Sequence, residues 1–498
     1  MNVNPITRLD YPDPDVIRVE DTYYMVSTTM HFMPGCEILQ SFDLVHWEHV
    51  TYVYETLDHT DAQQLKSGQN IYGQGMWAAS LRYHEGRFYI CFVANDTRKT
   101  YLYTSEKIDG PWKKQLIEGF YHDGSLLFDE DGRNYIVYGN DEIWITELNE
   151  DLTAPKKDGL HRLLVSDHKN PELGYEGSHI QKINGYYYIF LVHSLRDRWM
   201  RTEACFYSDS LEGEFTGGDV LCDDRGYCGQ GVAQGGIVDT PDGKWYAMLF
   251  QDSGAVGRIP ILLPVTWKDH FPVFGQNGHV PEEIEVHSTR TGYIYQPLVG
   301  SDDFCNGLLP RWQFNHDPDP RYYHLDALQG TYTITTREVC TELTQAVNTL
   351  TQRMSYPSCV AEVTVDASAL KDGDVAGLCA LQSCYAAVGI TKHHGKYEVL
   401  MLDKKEDGIL DMTEGIVVES HQIDFRLEAD FCNMKDEARC YYRVNKGDWL
   451  PIGTVHKLYF KLDHFTGCRF GLFCYAAEET GGSACFRDFK YYDVDEIS

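Results

Sequence analysis

Gly185-Tyr186-Tyr187-Tyr188 is one of five copies of a single phrase, a polar turn followed at once by an aromatic strand. The others are Asp21-Thr22-Tyr23-Tyr24, Gly86-Arg87-Phe88-Tyr89, Gly132-Arg133-Asn134-Tyr135 and Gly243-Lys244-Trp245-Tyr246. Their closing tyrosines are 65, 46, 53 and 58 residues apart. A turn residue leading into β-favouring side chains reads as the tip of a hairpin. Hairpins recurring at this interval predict a radial β architecture in which each copy is one blade of a propeller. A second phrase accompanies the first in several copies, as in Ser41-Phe42-Asp43-Leu44 and Ser208-Asp209-Ser210-Leu211, and reads as the outer part of a blade.

Eight or nine residues before the five turns stand Asp13, Trp77, Asp123, Glu176 and Gln234. None is an ordinary core filler of a small β-strand. One hairpin arm before the turn lies the start of the earlier strand, which in a propeller faces the central channel. The spacing therefore predicts that three acids from three blades gather around one axis. Pro12 and Pro14 restrict the backbone around Asp13 and remove ladder donors, as a rigid mount or a strand start requires. Glu176, between Tyr175 and Gly177, is expected to lie in a partly apolar pocket that raises its pKa.

Other polar residues are read more blandly. Asp129, Glu130 and Asp131 are expected to be solvated turn residues, and Arg196, Arg198 and Arg201 surface groups. Arg258 follows small residues and reaches either the channel or a surface acid. Phe32 is either a ligand contact or a core filler. Trp77 is either a stacking platform for a sugar or a packed core ring.

The chain has 498 residues, more than one ordinary domain holds. Residues 1–280 carry the blade phrases, 281–302 read as a connector, and 303–498 alternate strand-like runs with polar turns. That last stretch predicts a β-sandwich of jelly-roll type. The formal charge of −32 argues against nucleic acid and anionic membranes as partners. No run of 18 apolar residues suggests a membrane span. The 15 cysteines form no Cys-x-x-Cys pair, and with no visible signal peptide they predict a reduced, cytoplasmic protein.

Paired carboxylates across a pocket are the machinery of glycoside hydrolysis. Tyr11-Pro12-Asp13-Pro14, His122-Asp123-Gly124-Ser125 and Tyr175-Glu176-Gly177-Ser178-His179, in that order, resemble the motifs of glycoside hydrolase family 43. The first blade and the C-terminal part are most similar to its β-xylosidase and α-L-arabinofuranosidase members. The resemblance implies an inverting exo-glycosidase acting on arabinoxylan-derived oligosaccharides, with Asp13 as general base, Glu176 as general acid and Asp123 tuning the acid. It also implies Phe32, Trp77 and Arg258 as substrate contacts. It requires no cofactor for the chemistry but allows a structural calcium ion in the channel. Many members place a His near the position of Gln234, whose amide oxygen is then the candidate ligand here. Many also carry Ser where this chain has Asp15, which would share a face with Asp13 on a regular strand. The alternatives are a carbohydrate-binding propeller without turnover and a fructan hydrolase of the invertase kind. The latter's Asn-Asp-Pro-Asn and Arg-Asp-Pro phrases are missing. The sandwich surface is a candidate interface for a homo-oligomer.

Overall fold

The computed structural model of the protein describes residues 2–494, and it is an all-β molecule. Five four-stranded antiparallel sheets follow one another along the chain, as the five turn phrases predict. The first comprises Asp15–Val19, Thr22–Val26, Gly35–Ser41 and Glu48–Tyr54. The other four begin with Ser80–His84, Ser125–Phe128, Glu176–Ile183 and Ala233–Asp239. These opening strands are neighbours in cyclic order, the fifth returning to the first, so they line the channel. The ring is tied shut by Asn2–Val3, which pairs with Glu283–Ile284. Asn4 adds hydrogen bonds from its Nδ2 to the carbonyls of Leu262 and Pro281.

The turn phrases work as read. Glu85-Gly86 and Asn184-Gly185 each hold two successive positive φ angles, 48° and 79°, then 50° and 85°. That is the two-residue hairpin whose twist matches the flanking strands. The aromatic residues that follow fill the spaces between blades. Tyr188 and Phe190 pack with Leu249 and Ile261 of the next blade, while Tyr187 and Ile189 pack with Tyr135 and Val137 of the previous one. Period-2 alternation explains this, because successive side chains of a central strand serve opposite faces.

The C-terminal domain is a β-sandwich. One sheet runs through Leu350–Arg353, Arg469–Ala476, Asp374–Leu381, Tyr385–His393 and Lys396–Lys404. The other includes Ser358–Asp366, Gln422–Asp430 and Ser483–Val494. Leu378, Phe470, Val363, Phe425 and Phe486 are among the side chains that fill the core between them. Each such side chain contributes about 1.5–3 kcal/mol by leaving water. All 15 cysteines are free thiols.

The two domains are not beads on a string. Phe32–Met33, from the first blade, pairs with Gln313–Asn315 and so joins a sheet of the sandwich. The Arg469 guanidinium lies 3.5 Å from the Phe32 ring centre. Buried Arg353 bonds the Asp10 carbonyl and pairs with buried Glu37 at 2.8 Å. Asp10 also accepts the Arg258 and Gly467 amides, one from each domain. The segment 281–302 lies against the first blade, where the Phe42 amide donates to the Tyr295 hydroxyl and the Tyr293 hydroxyl donates to Glu48.

Candidate active site

Asp13, Trp77, Asp123, Glu176 and Gln234, one from each blade, line one cavity of about 180 Å³. The arithmetic of the repeats thus brings all five together. Their backbones share a reason for doing so. Asp13, Asp123 and Gln234 have φ of 52°, 48° and 64°, and Gly177, after Glu176, has 67°. A left-handed residue at the mouth of the inner strand turns the chain into the channel, and Asp accepts that region better than most residues. Gly177 is held close as well: a Cβ there would stand 2.7 Å from Gln234 Cγ. Its amide donates to Asp123 Oδ2 at 2.9 Å.

Asp13 is buried and held at both oxygens. Arg258 Nη1 donates to Oδ1 at 2.7 Å, and Thr28 Oγ1 to Oδ2 at 2.6 Å. Arg258 therefore takes the channel option, and its Nε rests on buried Asp252. Glu176 receives Asn140 Nδ2 at 2.7 Å and faces His122 Nε2 at 3.5 Å, both at Oε2. The same His122 nitrogen lies 3.5 Å from Asp123 Oδ2. Burial pulls the His122 pKa down, but the Asp123 charge and the Glu176 contact outweigh it and lift it to about 9. Burial, with the charges of Glu176 and Asp13 adding, pushes Asp123 up to about 6.

Glu176 departs from the sequence expectation. Burial does raise it, but the His122 contact and charge, then Arg201 and Arg258, outweigh burial and hold it below the ordinary value. In the sequence His122 has no role beyond its place in a motif and Arg201 reads as a surface group, so neither is set against Glu176 there.

Several other placements correct the sequence-based expectations. Phe32 is buried in the domain interface against Arg469 and His31 and is not among the cavity-lining residues, so core filler is its role. Arg201, expected at the surface, is buried in the cavity wall, with Nε on Asp252 Oδ2 at 3.0 Å. Asp129 is buried too, taking Lys182 and the Tyr187 hydroxyl. Asp15 does not share a strand face with Asp13, which lies before the strand in the left-handed region. Its carboxylate is taken by the Leu81 amide, Arg82 and His179.

That cluster decides how well calcium fits. Arg82 donates to Asp15 Oδ2, Ser125 Oγ and the carbonyls of Leu81, Leu126 and Ile180, so it bonds groups of four blades. Gln234 Oε1 is buried with no donor, a single amide oxygen. Glu203, beside it, accepts the Gln234 amide, and burial raises its pKa well above the ordinary carboxylate value. Calcium wants six to eight oxygens, several of them charged. The channel oxygens near Asp15 already serve a guanidinium, and this donor set does not fit the ion.

The roof of the cavity comes from the other domain. Leu462 and Phe465 of the sandwich line it. Phe465 stands edge to face with Trp77 at 5.1 Å and 3.7 Å from the Arg258 guanidinium. Nothing in the local sequence around Phe465 announces this. Asn140 and Asp252 had a faint signal, since each ends the strand that follows its blade's turn phrase.

Comparison with known proteins agrees with this geometry. Residues 3–272 match the model of Glycosyl hydrolases family 43, and residues 301–492 that of the Beta xylosidase C-terminal Concanavalin A-like domain. A Beta-xylosidase of Formosa agariphila is 26% identical over 99% of this chain and 89% of its own length. A Xylosidase/arabinosidase of Butyrivibrio fibrisolvens is 24% identical over 99% of each chain. A solved bifunctional GH43-CE structure of Bacteroides eggerthii is 42% identical over the whole of this chain, with a TM-score of 0.92. This chain spans 64% of that protein's length. With more than half of its length matched by the family model, and with three acids from three blades around one cavity, the chain belongs to glycosyl hydrolase family 43 and is a glycoside hydrolase.

Proposed function

We propose that the protein is an inverting exo-glycosidase that removes terminal β-D-xylosyl or α-L-arabinofuranosyl groups from arabinoxylan-derived oligosaccharides. The observation that carries this reading is a cavity of about 180 Å³ holding Asp13, Asp123 and Glu176. That volume is on the scale of one sugar ring, below the ~300–1,000 Å³ of pockets for drug-sized ligands. A site for one terminal ring suits release from a chain end. The xylosidase and arabinosidase names of its relatives supply the two sugars.

In this reading Asp13 is the base. Hydrogen bonds from Arg258 to one oxygen and from Thr28 to the other hold it in place and aim it. It takes a proton from water as the water oxygen bonds to the anomeric carbon. The bond from that carbon to the leaving oxygen breaks, its electron pair goes to oxygen, and Glu176 supplies the proton there. Before substrate arrives, the pKa directions place the proton on His122, beside Glu176. A sugar that expels water from the cavity makes this ion pair costly and favours moving the proton to Glu176. Asn140 and His122 both address Oε2, so a carboxyl proton on Oε1 is the one free to leave. Asp123 tunes the acid through its charge and its contact with His122.

The test is hydrolysis of aryl β-D-xyloside and aryl α-L-arabinofuranoside, with the first-formed sugar anomer followed by NMR. Release with inverted configuration is expected. A retained first anomer refutes inversion, and no release from either glycoside moves the reading to a binding propeller.

A further inference from the structure

Two guanidiniums share one buried carboxylate in the cavity wall. Asp252 accepts Arg258 Nε at Oδ1 and Arg201 Nε at Oδ2. Arg258 then uses Nη1 to hold Asp13. Arg201 is placed in the same manner, but its Nη1 is buried and donates to nothing. The side chain is only 3% exposed, stacked near the rings of Trp199 and Phe250 at 5.2 and 5.3 Å. It lines the cavity that holds the three acids. A buried cationic donor without an acceptor is costly, and native proteins keep such a group where something else completes it.

We propose that Arg201 is a substrate-binding, specificity-determining residue whose guanidinium Nη groups, not engaged by Asp252, donate to a hydroxyl oxygen of the terminal sugar. This rests on the glycosidase reading above for the identity of the ligand. A neutral hydroxyl fits better than an anionic group. Asp13, Asp123, Glu176 and Asp252 already stand against only Arg201, Arg258 and His122. A carboxylate or phosphate would add charge to an acidic pocket. Asp252 fixes the guanidinium in advance, so the donor costs little ordering when the sugar arrives. A site built to donate to one hydroxyl also rejects the sugar that lacks it, because the donor is then left unpaired.

The experiment is equilibrium binding, followed by tryptophan fluorescence and ligand NMR. The ligands are D-xylose, L-arabinose and their monodeoxy analogues, tested on the wild type, Arg201→Met and Arg201→Lys. One deoxy analogue is expected to bind the wild type about 10- to 100-fold more weakly than its parent, the range of a hydrogen bond to a charged donor. In Arg201→Met the parent weakens by that factor, and the difference between parent and that analogue disappears. Arg201→Lys keeps a charge near Asp252 but lacks the Nη pair, and gives the same readout if the Met variant does not fold. Parent affinity unchanged in the variants, or discrimination that survives them, overturns the proposal. The binding pattern without hydrolysis of any aryl glycoside would refute the glycosidase reading and leave the Arg201 contact standing. Hydrolysis without the pattern does the reverse. Absence of sugar binding to the wild type overturns both.

Discussion

Asp13→Ala removes the one carboxylate that both Arg258 and Thr28 address. The two bonds, at 2.7 and 2.6 Å, are made to a side chain that is only 3% exposed. Loss of a general base costs about 10²–10⁴ in turnover, or about 3–5 kcal/mol of barrier. Stability should fall less than the ~3–5 kcal/mol of a fully broken buried pair, because Arg258 keeps Asp252 at 3.1 Å. The truncation leaves Arg258 Nη1 and the Thr28 hydroxyl aimed at a space the size of a small anion. Formate or azide should therefore restore part of the rate, and azide should appear in a glycosyl azide of inverted configuration. The assay is turnover of two aryl glycosides, one with a good and one with a poor leaving group, with and without anion. Glu176→Ala is the control, since loss of the acid should hurt the poor leaving group far more than the good one. Asp13→Ala within about fivefold of the wild type on both substrates would refute the assignment of the base.

Phe465→Ala should lower kcat/KM by about 10- to 100-fold although the residue belongs to the sandwich. A desolvated cation–π contact of about 2 kcal/mol and an aromatic pair of about 1 kcal/mol help hold Arg258 and Trp77; unchanged kinetics would show that the roof is passive. Asp436 reports on the domain interface: burial, aided by Asp430, lifts its pKa from 3.8 to about 6 against the Ala255 amide and Lys457. A raised acid stabilises the fold fully below pH 3.8 and loses that contribution as pH rises to about 6, a difference of about 3 kcal/mol. Asp436→Asn should therefore melt above the wild type at pH 7 and with it near pH 4, and a gap equal at both pH values would reject the argument. Dialysis against EDTA is expected to change neither melting temperature nor turnover, while Arg82→Met should destabilise by about 3–5 kcal/mol. A loss on chelation that calcium reverses would show that the channel holds an ion after all.

The sequence by itself determined the blade count, the order of the domains and the five positions that meet at the cavity. Those are periodic properties. A turn that must reverse the chain and a strand that must fill two faces leave the same residue types at the same offsets, as at Asn184-Gly185 and Tyr186–Tyr188. Asp13, Asp123 and Glu176 were legible because equivalent offsets land on equivalent inner strands. What only the tertiary structure decided is who faces those acids. Arg201 looks like its exposed neighbours Arg196 and Arg198 until the fold sets it against Asp252. Phe32 could be a ligand contact or a core filler until its short strand joins the sandwich, and Phe465 enters the cavity from a segment far along the chain from all three acids it roofs. Even the direction of the Glu176 pKa was hidden, because burial alone points upward and the nearby His122 reverses it. Local pattern specifies backbone and burial. Charge neighbours and domain contacts are pairings between distant segments, and only the folded chain makes them.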